Sequence, residues 1–506
     1  MSTELELSEI QGLVLSGYGE RPVATYVLFE ITHPDRARRW AAELAGELQF
    51  GEFRASARGR PPFLKPLCAN LAFTFDGFVT LGVPAAALSG FSLPFREGMA
   101  EPSRSRRLGD DGESAPERWL WGGAGRPLHG VLLVYAGSDA ADPSEWQAAR
   151  EFVRRWTGDA HGVHAYLTLD ATALDQTERK EHFGFRDGIA NPGILGLSRR
   201  LTGDMVAPGE VVLGYRNGYD RVPLSPQVPA ELDPDRRLPR GESEKFHDFG
   251  RNGSYLVFRQ LVQHVQAFWR FVAEAKRNIP GIPPGAAGDR WLAAKLVGRW
   301  PNGTALTLYP DAPGPDNAGD NDEFDFGRFG DAYGRRCPIG SHVRRSNPRD
   351  TALPVPHDPE LSGTPEDAST RKQRLALVDL HRLMRRGRMY GPPLDVGFDP
   401  ETLRTAPEDA IERGLHFLCF NANLSRQFEF VQASWVNNPC FAGLSRDPDP
   451  LLSARREHPF SADEFVIQGL PPRRLKGLPR VVEVRGGAYF FMPSRAALGY
   501  VGSLRG

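Results

Sequence analysis

The stretch Val23-Ala-Thr-Tyr-Val-Leu-Phe-Glu-Ile31 is the first clear sign of the fold, and residues 35–48 follow it directly. The stretch is rich in β-branched and aromatic residues, which favour a strand. The segment after it places Trp40, Leu44 and Leu48 at helical spacing, which predicts an amphipathic helix. The chain therefore begins with a strand that runs into a helix.

The same alternation continues along the chain. In the first third, the patterns predict strands at residues 68–75, 130–135 and 164–169 and a helix at residues 143–156. Two successive strand–helix–strand units within about 150 residues predict a ferredoxin-like α+β domain. The second half repeats the pattern, with strands predicted at 254–259, 415–420 and 487–492 and helices at 375–386 and 427–437. The polar segment 104–118 is predicted to be an exposed loop.

Length and composition bound the class of protein. A chain of 506 residues is too long for one ordinary core, so we expect two domains, residues 1–175 and 176–506. Lys and Arg number 62 against 63 Asp and Glu, which argues against nucleic-acid binding by bulk charge. The four cysteines show no pairing motif, so we expect no disulfide framework. No long apolar run or export signal is visible, and we expect a cytoplasmic protein without a membrane partner.

A single histidine stands in the stretch Cys337-Pro-Ile-Gly-Ser-His342-Val-Arg-Arg-Ser-Asn-Pro-Arg349-Asp350. A histidine that ligates iron needs a rigid backbone and no bulky neighbour, and the small residues before His342 are compatible with that role. The arginines after it are suited to the carboxylates of a large anionic cofactor, since guanidinium pairs with carboxylate in a bidentate way. The alternative is a structural histidine, which is the commoner case for a lone residue.

Two further stretches contain residues with possible catalytic roles. In Gly184-Phe-Arg-Asp187-Gly188 the glycines can hold the carboxylate on a tight turn and direct it into a cavity. The alternative is an ordinary Asp-Gly turn. Arg385 stands near the end of a predicted helix, before Gly387, where an arginine often only caps the helix or faces water.

Together these stretches resemble the dye-decolourising peroxidases, a family of haem enzymes. The resemblance covers nearly the full length in the same order, and an insertion at residues 354–372 is similar to the longer subgroup of the family. Besides the motifs around Asp187, His342 and Arg385, the matching pieces are Ile10-Gln-Gly, Gly253-Ser-Tyr-Leu-Val-Phe258, Tyr390-Gly391, Gln427-Phe-Glu-Phe-Val-Gln432 and Tyr489-Phe-Phe-Met-Pro493.

The resemblance implies two ferredoxin-like domains in a dimeric-barrel-like arrangement, with one haem b in the C-terminal domain. His342 would be the proximal iron ligand, and Glu429 the acidic partner of its imidazole. Asp187 would carry a proton on the distal face, as base and then as acid. Arg385 would contact the cofactor and stabilise negative charge as the O–O bond breaks. Hydrogen peroxide would then oxidise dyes, phenols and similar donors through a ferryl porphyrin-radical intermediate.

Other functions stay open at this stage. A protein that stores or transfers haem with little turnover needs only His342 and an apolar pocket, so the presence of Asp187 and Arg385 favours the enzyme. A structural ferredoxin-like dimer without a cofactor is the third possibility. The last residues, 498–506, loosely resemble the tails by which some of these peroxidases dock into encapsulin shells, and the alternative is simply the end of the final helix.

Overall fold

The structure is a computed structural model. It describes residues 4–54, 65–137, 139–172, 179–197, 204–316, 322–351, 368–394, 397–407, 409–454 and 463–505. Most of the insertion predicted at residues 354–372 lies outside these ranges.

The first half of the chain forms one βαββαβ unit. Its elements are β1 (Val23–Ile31), α1 (Pro34–Leu44), β2 (Leu67–Phe73), β3 (Gly130–Ala136), α2 (Pro143–Trp156) and β4 (Val163–Thr172). The strands pair antiparallel in the spatial order β4-β1-β3-β2. Both helices begin with proline in the first turn, where its missing N–H costs nothing, and bury their apolar face on the sheet.

The second half repeats this arrangement with longer connections. Its strands are β5 (Ser254–Gln263), β6 (Arg388–Tyr390), β7 (Gly414–Asn421) and β8 (Val482–Met492), and α3 (Val265–Lys276) follows β5. Their spatial order is β6-β7-β5-β8, so the first, second, third and fourth strands of each half take the same places. The ferredoxin-like α+β class predicted from the sequence is therefore confirmed, while the boundary between residues 175 and 176 stays a prediction.

The two halves close into a barrel at two narrow seams. Thr172 of β4 pairs with Met389 of β6, and Phe73 of β2 pairs with Phe491 of β8. The buried Gln11 side chain fastens the second seam, because its amide donates to the carbonyls of Leu71 (2.8 Å) and Pro493 (2.9 Å). This contact explains the Ile10-Gln-Gly motif as a structural one.

Alternation along β7 separates the barrel interior from a second apolar space. Leu418 and Phe420 face the interior of the barrel, whereas Leu415 and Phe417 point to the opposite face. Leu415 lies opposite Leu261 of β5, which also points outward. The outer face of the second half's sheet thus supplies an apolar floor on which further elements pack.

The remaining elements surround the sheet. The longer helices are α4 (Gly285–Val297), α6 (Ala368–Asp379) and α7 (Arg495–Ser503), and the short helix α5 (His342–Ser346) lies between α4 and α6 in the chain. Other short helices span Gly12–Leu15, Phe75–Thr80, Ala85–Ser89, Leu93–Glu97, Pro102–Leu108, Pro400–Thr405 and Phe428–Phe430. A π-helix continues the last of these over Val431–Val436, and paired two- or three-residue strands lie at Gly193–Ile194 with Met205–Val206, Gln227–Pro229 with Phe246–Asp248, and Phe465–Ile467 with Arg473–Leu475. All four cysteines are free.

The last helix is packed rather than extended. Leu498, Tyr500 and Val501 of α7 are buried, and the Tyr500 hydroxyl donates to the carbonyl of Leu232. These side chains therefore belong to the packed final helix, while docking of the tail into an encapsulin shell stays a prediction. Among the described residues, no helix has both the length and the apolar character to cross a membrane.

Two predicted elements are wrong. Residues 104–118 are not simply an exposed loop, because the helix Pro102–Leu108 buries Arg104, whose guanidinium binds Glu429 and Glu97. The helix predicted at 375–386 ends at Asp379, and Arg385 lies instead on a short strand, Met384–Arg385, that pairs with β7. In both cases a long-range partner decides the local structure, and a local pattern does not contain that information.

The Arg104–Glu429 pair joins the two halves and gives a test of stability. The carboxylate accepts two bonds from the guanidinium, at 2.7 and 2.9 Å, and both side chains are buried. Replacing Glu429 by Gln leaves a buried cation short of its partner, and we expect the free energy of unfolding to fall by about 3 kcal/mol.

Denaturant unfolding of Glu429→Gln measures this loss. The matched control is Glu113→Gln, which breaks the exposed Arg118–Glu113 pair and should change stability by less than about 0.5 kcal/mol. Equal losses in the two variants would contradict a structural role for the buried pair.

Candidate active site

A cavity lies over the outer face of β5 and β7, with an empty volume of about 1510 Å³ that includes the open space at its mouth. His342, Asp187 and Arg385, the three residues predicted from separate parts of the sequence, all line it. Its apolar walls come from Phe183, Phe185, Ile189, Leu261, Val297, Val343, Leu383, Leu415, Phe417, Phe428, Val431, Val436, Leu451, Leu452 and Val482. The fold therefore collects the three candidate residues in one largely apolar space.

His342 is the first residue of α5, and a buried carboxylate fixes its imidazole. Its Nδ1 lies 2.9 Å from Oδ2 of Asp449, whose side chain is fully buried. The other carboxylate oxygen of Asp449 accepts the backbone N–H groups of Leu451 (2.9 Å) and Leu452 (2.8 Å). Since Nδ1–H donates to this acceptor, Nε2 keeps the lone pair that a metal ion requires.

His342 and Asp449 each shift the pKa of the other toward its charged form. Burial alone would lower the pKa of His342, but the Asp449 carboxylate raises it above its usual value. Burial likewise would raise the pKa of Asp449, and the imidazole together with the backbone donors holds it below the usual value. Asp449 therefore stays ionised and strengthens the imidazole as a donor.

The expectation that Glu429 is the acidic partner of His342 is wrong. Glu429 binds Arg104 and accepts the Tyr489 hydroxyl at 2.9 Å, away from the imidazole. Sequence reasoning missed Asp449, which stands in Asp447-Pro-Asp449-Pro and reads locally as a turn. The π-helix Val431–Val436 holds Asp449, whose backbone N–H donates to the carbonyl of Val436.

Asp187 and Arg385 form a pair inside the cavity. Nη1 of Arg385 lies 3.1 Å from Oδ1 of Asp187, and the side chains are 34% and 43% exposed, toward the cavity space. Both flanking glycines have positive φ, 91° at Gly184 and 82° at Gly188, so the turn holds a conformation that other residues rarely adopt. Burial would raise the pKa of Asp187, but the Arg385 charge and the Gly188 N–H bring it below its usual value.

Asn191 positions Arg385 and was not predicted from the sequence. Its side-chain oxygen accepts the backbone N–H of Arg385 at 3.1 Å, and its Nδ2 donates to the Arg385 carbonyl at 3.2 Å. Asn191 lies four residues after Asp187 in the same loop, so one loop holds Arg385 by both its backbone and its guanidinium. The Asn-Pro dipeptide after Asp187-Gly188 was the available signal, and it resembles an ordinary turn.

Glu181 supports the loop that presents Asp187. Its carboxylate accepts the backbone N–H groups of Phe183 and Phe185, each at 2.9 Å, and the side-chain amide of Gln263 on β5 at 2.6 Å. Burial raises the pKa of Glu181 to about 7, although these three donors lower it. The loop is thus anchored to the barrel rather than only to itself.

The arginines that follow His342 do not have the role suggested by the sequence. Arg344 and Arg345 are buried and donate to backbone carbonyls, among them those of Cys337 and Trp435. Arg349 donates to Asp322 and to the carbonyl of Phe324. The arginines that do line the cavity come from elsewhere in the chain, namely Arg186, Arg299, Arg382 and Arg385.

Comparison with known proteins gives the class of this enzyme. No family model matches the chain. Peroxidase 2 of Mycetinis scorodonius is 31% identical over 446 residues, covering 85% of this chain and 75% of the relative. The multifunctional dye peroxidase DyP2 of an Amycolatopsis species is 30% identical over 443 residues, covering 85% of this chain and 81% of the relative.

The fold is also similar to solved structures of peroxidases. A DyP-type peroxidase from Auricularia auricula-judae superposes with a TM-score of 0.74 at 25% identity, covering 99% of this chain and all of that one. A dye-decolorizing peroxidase whose haem pocket has been engineered matches with the same TM-score, identity and coverage. The chain belongs to the dye-decolorizing peroxidases, which are haem enzymes. It is therefore an oxidoreductase that uses hydrogen peroxide as its oxidant.

The contact between His342 and Asp449 predicts how the pKa of His342 changes when Asp449 is replaced in the haem-free protein. In Asp449→Asn the attractive charge is lost while burial remains, so the pKa of His342 should fall below its usual value instead of lying above it. Titration of the imidazole by NMR measures this change.

The same substitution should also change how the free energy of unfolding depends on pH. A raised pKa means that the wild type gains stability at pH below the usual histidine pKa and loses that gain as pH rises through the folded-state value. Asp449→Asn should lack this gain. An unchanged His342 titration in the variant would show that the carboxylate does not act on the imidazole.

Proposed function

We propose that this cavity would hold one haem b and that Nε2 of His342 would ligate its iron. The residues present fit such a group. The walls are apolar, the imidazole has one nitrogen engaged by Asp449 and the other available, and four arginines line the space where the carboxylates of an anionic cofactor need cations. The observation that carries the proposal is that the His342–Asp449 and Asp187–Arg385 pairs share this one cavity.

Bound haem would supply the redox chemistry: it would be oxidised by peroxide and reduced again by the donors, one electron at a time. Asp449 sets the tautomer of His342 and keeps the imidazole electron-rich, which favours high oxidation states of the metal. The buried carboxylate of Asp449 accepts a hydrogen bond from Nδ1 and so orients the ring.

Asp187 is the proton carrier in this proposal. Its ionised carboxylate accepts a proton from one oxygen of hydrogen peroxide and returns it to the other, so that the outer oxygen leaves as water. The lowered pKa of Asp187 keeps the carboxylate ionised, and hence able to accept the proton, in acidic solution.

Arg385 has two roles in this proposal, one toward Asp187 and one toward the departing oxygen. Its guanidinium keeps the carboxylate ionised and offers N–H donors where negative charge develops as the O–O bond lengthens. We also propose that it contacts the cofactor. Asn191 holds the Arg385 backbone, so the guanidinium starts from a fixed position.

The electron donors we propose are dyes, phenols and similar aromatic molecules. The Amycolatopsis relative is named a multifunctional dye peroxidase. Each turnover takes two electrons and two protons from two donor molecules and converts one hydrogen peroxide into two molecules of water. No finding supports the alternative of a haem-handling protein, since the relatives reported above are named peroxidases.

Visible spectroscopy of haem-reconstituted protein tests the proposed function. We expect a Soret band that changes rapidly after one equivalent of hydrogen peroxide at acidic pH and returns when a dye or phenol is added. A Soret band that ignores peroxide would favour haem handling, and the absence of a Soret band would exclude a haem site.

Asp187→Asn tests the proton transfer. The amide cannot accept the proton, so the rate constant for the reaction with peroxide should fall by about 10²- to 10⁴-fold while haem content stays unchanged. Stopped-flow absorption measures this rate. The control Asp220→Asn changes an exposed carboxylate outside the cavity and should react like the wild type.

Arg385→Leu tests the electrostatic part through the pH dependence of kcat/KM for peroxide. In the wild type the lowered pKa of Asp187 places the acid limb below the usual aspartate value of about 3.9. Without the guanidinium, burial still raises this pKa, and the limb should move to higher pH. Arg385→Lys keeps the charge and should move the limb less, so equal limbs in all three proteins would contradict the pairing.

A further inference from the structure

One buried amide faces the cavity without a partner. Asn347 is 7% exposed and lines the cavity, yet neither its Oδ1 nor its Nδ2 has a hydrogen-bond partner in the part of the chain that the structure describes. An unsatisfied buried polar group is costly, and most such groups in folded proteins are paired. The side chain therefore points to a ligand that completes it.

The position of Asn347 relates it to the cofactor site. It ends α5, which begins with His342, and its backbone N–H donates to the carbonyl of Val343. The neighbouring Ser346 is already committed, since its hydroxyl donates to the His342 carbonyl at 2.9 Å. Asn347 thus lies on the same short element as the proposed iron ligand, with its amide uncommitted.

The segment Gly298-Arg299 packs on α5 and adds a positively charged side chain to the cavity lining. Gly298 packs so closely on α5 that an added Cβ would lie 3.1 Å from the Val343 Cβ, and the next residue, Arg299, lines the cavity. Arg299 pairs with Asp322 and donates to the Gly303 carbonyl, which holds the guanidinium in place. The cavity lining therefore includes both a fixed cation and an amide donor, and these two groups suit a carboxylate.

We propose that Asn347 donates its Nδ2–H to a carboxylate of the bound haem and so anchors one edge of the group. This inference rests on the proposed function. Haem b is apolar apart from its carboxylates and the axial positions of its iron, so a carboxylate is the one peripheral group that matches an amide donor. Asn347 is then a positioning residue, which sets how firmly and in which rotation haem sits over His342.

The rate of haem loss tests this role without reference to turnover. Haem released from the ferric holoenzyme is trapped by excess apomyoglobin and followed by absorption. Asn347→Ala should lose haem about ten-fold faster, since it removes one hydrogen bond to a charged acceptor. Asn347→Asp keeps the shape of the side chain and should lose haem faster still at neutral pH, because two carboxylates then face each other.

The control is Asn421→Ala. Asn421 is a fully buried amide on β7 that does not line the cavity, and its Oδ1 is likewise unpartnered. This variant separates loss of stability from loss of haem, and it should release haem at the wild-type rate even if it unfolds more easily. If Asn347→Ala does not fold, Asn347→Asp replaces it as the variant whose rate of haem loss tests the proposal.

Haem dimethyl ester, whose carboxylates are blocked, shows whether the contact is with a carboxylate. The wild type should release the ester faster than haem, and Asn347→Ala should add no further acceleration with the ester. The proposal is overturned if Asn347→Ala speeds the loss of both forms equally, or if neither Asn347 variant changes the loss of haem. A wild type that binds no haem would instead contradict the proposed function itself.

Discussion

The fully buried carboxylate of Asp449 is the constraint on which the cavity depends. It accepts hydrogen bonds from the His342 imidazole and from the backbone of Leu451 and Leu452, and its own backbone N–H donates to the π-helix. An isolated buried charge would cost many kcal/mol, so these donors are a condition for the ionised state. A single buried anion thus orients the candidate ligand and fixes the wall of the cavity behind it.

The barrel and the cavity are two sides of one sheet. Alternate residues of β7 point into the barrel, where aromatic and aliphatic side chains pack, and outward, where Leu415 and Phe417 floor the cavity. Buried contacts such as Gln11 with Pro493 and Arg104 with Glu429 join the halves that make the sheet. Closure of the barrel therefore supports the site, although Glu181 is the first of the described residues to line the cavity.

The sequence predicted most of the regular elements, with the exceptions of residues 104–118 and 375–386, and the candidate residues that stand in recognisable motifs. The strand Val23–Ile31 follows from its β-branched and aromatic residues. Asp187 follows from its flanking glycines only together with the resemblance to the family. The carboxylate that binds His342 was not predictable in this way, because Asp449 lies 107 residues from His342 and meets it only through the fold. The same holds for Arg344 and Arg345, whose charge suggested a cofactor but whose partners are distant backbone carbonyls.

The most direct test of the account is the absorption spectrum of haem-reconstituted His342→Gly, with and without free imidazole. The account predicts that the variant loses the spectrum of a histidine-ligated ferric haem and that imidazole, entering the space left by the side chain, restores it. A variant whose spectrum equals that of the wild type without imidazole would show that another residue ligates the iron, and the central role given to the His342–Asp449 pair would then be wrong.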